Sequence, residues 1–262
     1  MLLFFHRTFQ TFGINLHRFL FSVSSIPKYV FDFIKIRVQL NKNGSRVRFS
    51  FNPCLYESHQ NAGIAKGHYF HQDLHVASRI FFNHPKKHVD IGSRIDGFVA
   101  HVASFREVEV LDIRPVYEKT HSICFSQVDL MKPLPDKFYG YCDSLSCLHA
   151  LEHFGLGRYG DPIDVNGHKK GLENLILMLN EGGIFYLSVP IGKEQICFNA
   201  HRIFNPFTLI NELDEKLELK NFSYVDDSGD FFNNVNLIDF QKNIYSDLRY
   251  GCGIFEMEKR KT

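Results

Sequence analysis

The stretch His88-Val89-Asp90-Ile91-Gly92-Ser93, followed by Gly97, constrains this chain more than any other. An apolar run ends in an acid and then a glycine turn, the junction that passes a strand into a helix around a nucleotide-like ligand. A second run, Val108-Glu109-Val110-Leu111-Asp112, also closes on an acid, and the two acids are 112 − 90 = 22 residues apart. In such a pair, a glycine turn after one strand and an acid roughly 20 residues on, the second acid takes ribose hydroxyls. Arg94 and Asp96 stand where a phosphate-cradling loop wants glycines, and that departure bears on which ligand the turn suits.

The rest of the composition narrows the class. A chain of 262 residues suits one α/β domain with an N-terminal extension. Hydrophobic residues make up 44%, enough for a buried core and too many for a disordered chain. The net charge of +1 supplies no field for nucleic acid. Six cysteines (Cys54, Cys124, Cys142, Cys147, Cys197 and Cys252) form no CxxC pair. They are expected to be reduced thiols of a cytoplasmic protein, with no metal site. Met1 to Arg7 is too short an apolar run for a secretory signal, and its basic residues follow instead of precede it. No window of about 20 uncharged apolar residues exists, so no membrane span is expected. From Phe4 to Arg37, aromatics mix with Arg7, His17, Arg18, Lys28 and Lys35. Residues 1–40 therefore read as an amphipathic helix pair, for which two placements stay open: on a membrane surface, or packed on the domain or another subunit.

Along the chain, residues 1–40 are expected to be helical with a break near 24–27, where Pro27 stands. An alternating strand is expected at 47–51, loop over 52–72 and a helix over 73–82. Residues 1–82 form the extension, which covers a pocket, and residues 83–262 form the main domain. In that domain strands are expected at 87–91, 107–112, 122–126, 139–145 and 183–189, with helices at 96–105, 167–180 and 206–214. Residues 218–225 and 253–258 are strand-like. Apolar strands alternating with helices imply a parallel sheet covered on both faces, here a Rossmann-like doubly wound sheet with a final antiparallel strand.

In such sheets ligands sit beyond the carboxyl ends of the strands, and polar residues do gather there. Gly92, Ser93 and Arg94 follow the first strand, Asp112 ends the second and Asp129 follows the third. His149, Glu152 and His153 follow the fourth, and Pro190 and Gly192 the fifth. Taken in order, Val89 to Ser93, Asp112, Val128-Asp129-Leu130, Ser146 to His153 and Leu179 to Pro190 resemble the motifs of class I S-adenosylmethionine-dependent methyltransferases. The resemblance covers roughly residues 86–225. It implies that Asp90 and the glycine turn hold the methionine end of the cofactor, that Asp112 takes the ribose hydroxyls, and that Asp129 meets the adenine amine. Val89 to Arg94, His153 to Pro162 and Cys197 to Arg202 further resemble an uncharacterised bacterial family within that superfamily, associated with surface polysaccharide synthesis. Such an association implies a glycan or small-molecule acceptor.

Physical chemistry agrees with the methyl donor. A dinucleotide places its pyrophosphate on a helix N-terminus and needs glycines for close approach. S-adenosylmethionine has no phosphate, and Arg94 can pair with its carboxylate. A nucleotide-dependent sugar-modifying enzyme, such as an NAD-dependent dehydrogenase, and a binding or scaffold protein that keeps the fold without transfer are the other readings left open. For methyl transfer to oxygen, His153 is the expected base, with His149 one helical turn earlier and Glu152 orienting either imidazole. A metal reading would draw on His149, His153, Asp161, Asp164 and His168, but their spacing is loose and no metal is expected. The loop from Gly155 to Pro162 reads as a lid with glycine hinges. Arg158 and Tyr159 in it, and Asn199, His201 and Arg202 after the fifth strand, are expected to meet substrate. His68, His71 and Asp73 lie upstream, where a segment covering the pocket would sit.

Overall fold

The computed structural model describes Gly13, residues 15–117 and residues 120–261. The chain divides between Ile64 and Ala65 into two compact units.

The first unit is built on one long helix, α1 (Leu16–Lys42). Asn15 caps it by accepting the Arg18 N–H at 2.9 Å. Pro27 lies inside the helix, and the break expected at 24–27 does not occur. Packing on both sides of the proline holds the two halves in line. Phe21 meets His59 at 5.0 Å before it, and Tyr29 meets Phe51 at 5.1 Å after it. The strand expected at 47–51 pairs with no other strand among the described residues. Its alternation instead places Phe49 and Phe51 on the same helix side chain, Phe33, at 4.7 and 5.3 Å. The opposite face of α1 leaves Leu16, Phe19, Leu20, Val30 and Ile34 exposed. Among the described residues no helix is long and apolar enough to cross a membrane. The signal-like segment Met1 to Arg7, and the part of the expected helix pair before residue 13, lie outside the described residues.

The first element of the second unit is α2 (His68–Asn83), which packs in the same compact unit as the sheet. The reason is burial: Val76, Ala77 and Ile80 face a core shared with Phe98, Val102, Val110, Tyr186 and Ile254. After α2 come β1 (His88–Ile91), a wide turn at Ile95–Val99 and one helical turn, α3 (Ala100–Ala103). The longer helix expected at 96–105 is cut short by Gly97, whose φ of −120° and ψ of −117° are not helical. Then follow β2 (Val108–Asp112), β3 (Ile123–Gln127), β4 (Cys142–Leu148), α4 (Gly167–Met178) and β5 (Leu179–Ile191). A hairpin of β6 (Gln195–Cys197) and β7 (His201–Ile203) leads to α5 (Pro206–Leu213). Asn205 caps α5 with Pro206 in its first turn, the position where a missing N–H costs nothing. The chain closes with β8 (Leu217–Val225), β9 (Phe231–Phe232), α6 (Leu237–Asn243) and β10 (Gly251–Lys259).

The strand order is β3-β2-β1-β4-β5-β10-β8-β9. The first five are parallel, and β10 runs antiparallel between β5 and β8. The final antiparallel strand is thus inserted into the sheet instead of being added at its edge. Both faces are covered. Val89, Ile91, Leu145 and Leu187 pack toward α4 and α5, on the side opposite α2. Period-two alternation sends His88 and Asp90 to the α2 side. The chain leaves β1 toward β2 on one side and β4 lies on the other, so the order reverses at β1, which is where doubly wound sheets open a crevice.

Candidate functional site

A cleft opens at that reversal. Gly92, Asp112, Asp129, His149, His153 and Tyr159 are among its lining residues. Its floor needs a glycine. Gly92 has φ +72°, in the left-handed region, and an added Cβ would stand 3.0 Å from the Ala150 Cβ.

Asp90 lies behind this turn, fully buried, and does not line the cleft. It accepts the Ser93 N–H at 3.1 Å, the Ser93 hydroxyl at 2.9 Å and the Ser146 hydroxyl at 2.5 Å. Burial pushes its carboxyl up to about 7, although those three donors pull the other way. Asp90 and Ser93 therefore shape the turn from within. Arg94 points elsewhere: its guanidinium forks Asp96 at 2.9 and 2.6 Å, with both side chains mostly exposed. Arg94, expected to pair with a cofactor carboxylate, is here engaged by Asp96 and is not among the residues lining the cleft. Arg114, which the sequence reading passed over, takes the place beside the acids. It forks Asp112 at 3.0 and 2.5 Å, and its plane lies 4.5 Å from the Tyr159 ring. The Asp112 carboxylate also caps the turn at the Arg114 N–H, 2.8 Å away, so an acid followed two residues later by arginine was the available signal. Asp129 holds its own turn through the Met131 N–H at 3.0 Å.

The wall after β4 carries a buried triad. Glu152 is 1% exposed. Its Oε1 accepts from His149 Nδ1 at 2.8 Å and lies 3.6 Å from His153 Nε2. Burial disfavours the ionised Glu152, but the two imidazoles outweigh it and hold the carboxyl below its usual range. His153 Nδ1 donates to the Ala200 carbonyl at 2.6 Å, which leaves Nε2 as the nitrogen available to a proton. Burial holds the His153 imidazole below its ordinary value although Glu152 pulls upward. His153, His149 and Glu152 thus come together, but not on one helix face: His149 is left-handed, with φ +49°, and precedes the short turn Leu151–His153.

The loop after the triad is folded by one side chain. Asp161 accepts the backbone N–H groups of Gly155, Gly157 and Tyr159 at 2.9, 3.0 and 3.1 Å. That closure sets the Tyr159 ring edge-on to His153, 5.4 Å away. Arg158 donates to the Ala200 carbonyl at 3.0 Å. Arg202 is 4% exposed and spends its donors on the carbonyls of Glu152, Phe154 and Val165, so it braces the wall and does not line the cleft. Asn199 is exposed at a left-handed turn, and His201 packs on Tyr250 at 5.0 Å. The residues of the loose metal reading do not converge. Asp161 is occupied as above, Asp164 pairs with Lys170 at 2.6 Å, and His168 lies against Phe204. The structure instead brings His68 and Cys252 to His149. Their separation in sequence gave no signal for it.

The sheet order, with an antiparallel strand between the fifth and sixth parallel positions, is the class I methyltransferase fold. It is shared with the N-methyltransferase NodS from Bradyrhizobium japonicum in complex with S-adenosyl-L-homocysteine. That structure matches at TM-score 0.50 and 13% identity, over 80% of this chain and 94% of the other. A second structure of NodS matches at TM-score 0.50 and 13% identity, over 76% of this chain and all of the other. No curated protein matches the sequence. A family profile described as Caenorhabditis protein of unknown function, DUF268, matches residues 96–227. That description names no bacterial polysaccharide role, so the association implied by the sequence resemblance gains no support from it. Since the match spans half of the chain, from just after Gly92 to just past β8, the protein belongs to the DUF268 family.

Proposed function

We propose that the cleft binds S-adenosylmethionine and that the protein transfers the methyl group to a hydroxyl of a small or sugar-linked acceptor. One observation carries the reading: two acids, Asp112 and Asp129, and the left-handed Gly92 converge on one cleft at the strand reversal. The residues fit the cofactor by their chemistry. Asp112 offers acceptors for a diol and Asp129 an acceptor for an amine. Gly92 keeps the floor open to a ligand backbone. Arg114, already on Asp112 and within 3.3 Å of the Gly92 carbonyl, brings a cation where a carboxylate can be paired. The cofactor supplies an electrophilic methyl on a sulfonium. The chain's own residues do the rest. His153 Nε2 takes the acceptor proton, and Glu152 stabilises the resulting imidazolium. Tyr159 and Arg158 stand beside His153 and suit the face and the hydroxyls of a sugar.

Transfer of labelled methyl from the cofactor to a panel of hydroxyl acceptors tests this. His153→Gln is expected to lower turnover about 10²–10⁴-fold with cofactor affinity unchanged. Equal turnover in the variant would remove His153 as the base. Cofactor binding without transfer to any acceptor would favour a binding protein with this fold.

A further inference from the structure

We propose that His68, His149 and Cys252 form a metal site for a zinc-class divalent cation, beside the cleft and independent of the methyl-transfer reading. The three donor atoms, two imidazole nitrogens and one thiol sulfur, all lie within 4.8 Å of one another. Tetrahedral zinc, with Zn–N near 2.0 Å and Zn–S near 2.3 Å, sets its donors roughly 3.4–3.6 Å apart. Closure therefore asks for up to about 1.4 Å between any two donors, a movement on the scale of a side-chain adjustment. Each ligand comes from a different part of the fold: His68 opens α2, His149 follows β4, and Cys252 starts β10.

Two further observations point to a ligand. His149 Nε2 is buried and has no hydrogen-bond partner among the described residues. A buried polar nitrogen left unpaired is costly, and a cation removes that cost. The other nitrogen, Nδ1, is held at 2.8 Å by the Glu152 carboxylate. A carboxylate behind a ligating imidazole is the arrangement that orients metal-bound histidines and raises their basicity. The Cys252 thiol is fully buried; its contacts to Gln72 Oε1 and the Gly253 carbonyl are long, both 3.8 Å, and its other polar neighbour is the His149 imidazole itself, so it has only weak bonds to give up. Imidazole and thiolate together select zinc over magnesium or calcium. Three protein ligands leave a fourth position, which a zinc-class ion fills with water.

The probe is Co²⁺ alone, added to the full chain made without a polyhistidine tag and freed of metal by chelation. One equivalent is expected to give ligand-field bands of tetrahedral intensity and a thiolate-to-cobalt charge-transfer band, with Zn²⁺ displacing the cobalt. Cys252→Ser is expected to abolish the charge-transfer band. His68→Gln, at the partly exposed start of α2, is expected to weaken cobalt binding at least about tenfold without lowering the metal-free melting temperature. Absence of bands at one equivalent, or an identical spectrum in Cys252→Ser, would overturn the site. Titration of the same samples with S-adenosylhomocysteine separates the two readings. Cofactor binding without cobalt binding overturns this one alone, and cobalt binding without cofactor binding supports it while removing the other.

Discussion

Asp161→Ala is the perturbation whose cost follows most directly from geometry. One carboxylate accepts three backbone N–H groups, from Gly155, Gly157 and Tyr159, at 2.9–3.1 Å. Hydrogen bonds to a charged acceptor each contribute about 1.5–3 kcal/mol net. The Gly155 bond is buried, while the other two are partly open to water, which can re-solvate their donors. Taking the low end and discounting those two leaves about 3 kcal/mol. For a unit of this size that is a fall in melting temperature of about 6–12 °C. Asp161→Asn keeps one carbonyl oxygen and serves part of the set, so it should lose about half as much. Differential scanning calorimetry of the three proteins reads the ordering directly. Because the loop also sets Tyr159 against the cleft, cofactor affinity should fall in step. A melting temperature of Asp161→Ala within about 2 °C of the parent would refute the reasoning, since it would mean the loop does not depend on that carboxylate.

Asp90 predicts a pH dependence with a definite sign. Its folded value, pushed up to about 7, exceeds its unfolded value, so the folded chain keeps a proton that the unfolded chain releases. Stability from this group therefore falls as pH rises from about 4 to about 7 and levels off above, by up to about 4 kcal/mol. Asp90→Asn removes the term, so urea unfolding should show its stability relative to the parent growing between about pH 5 and about pH 8; a pH-independent difference would contradict the burial argument. Gly155→Ala tests loop closure from the other side. Its φ is +77° and the new Cβ would stand 2.0 Å from the Asp164 carbonyl oxygen. Left-handed backbone and overpacking together should cost about 2–5 kcal/mol in urea unfolding, and an unchanged midpoint would count against this loop geometry.

The parts of the fold legible in the sequence were those with local causes. The strands around Asp90, Asp112 and the fifth strand declared themselves as apolar runs closing on polar residues, and their order set the site at the reversal. Glu152, His149 and His153 were legible as a cluster because they stand together after the fourth strand, but His149 reaches Glu152 from a left-handed conformation ahead of the short turn Leu151–His153, which the spacing did not reveal. What was not legible came from tertiary packing. Pro27 interrupts a helix in isolation, yet Phe21 and Tyr29 dock on either side of it. Residues 47–51 alternate as a strand does, but their rings pack on a helix. Arg94 was read as a ligand residue from its place in the motif, and Asp96 two residues on supplied a nearer partner. Arg202 was read as facing substrate, but the carbonyls of the 152–165 segment claim its guanidinium. The meeting of His68 with Cys252 depends on how β10 is inserted into the sheet, which no local pattern encodes.

The central claim is that the cleft at the β1–β4 reversal is a site for S-adenosylmethionine. Isothermal titration of the full chain with S-adenosylhomocysteine tests it most directly, with Asp112→Ala beside it. One molecule should bind per chain, and loss of the Asp112 carboxylate should weaken binding by about 10–100-fold, the worth of one charge-assisted pair of hydrogen bonds. No heat of binding at micromolar protein, or equal affinity in Asp112→Ala, would contradict the account.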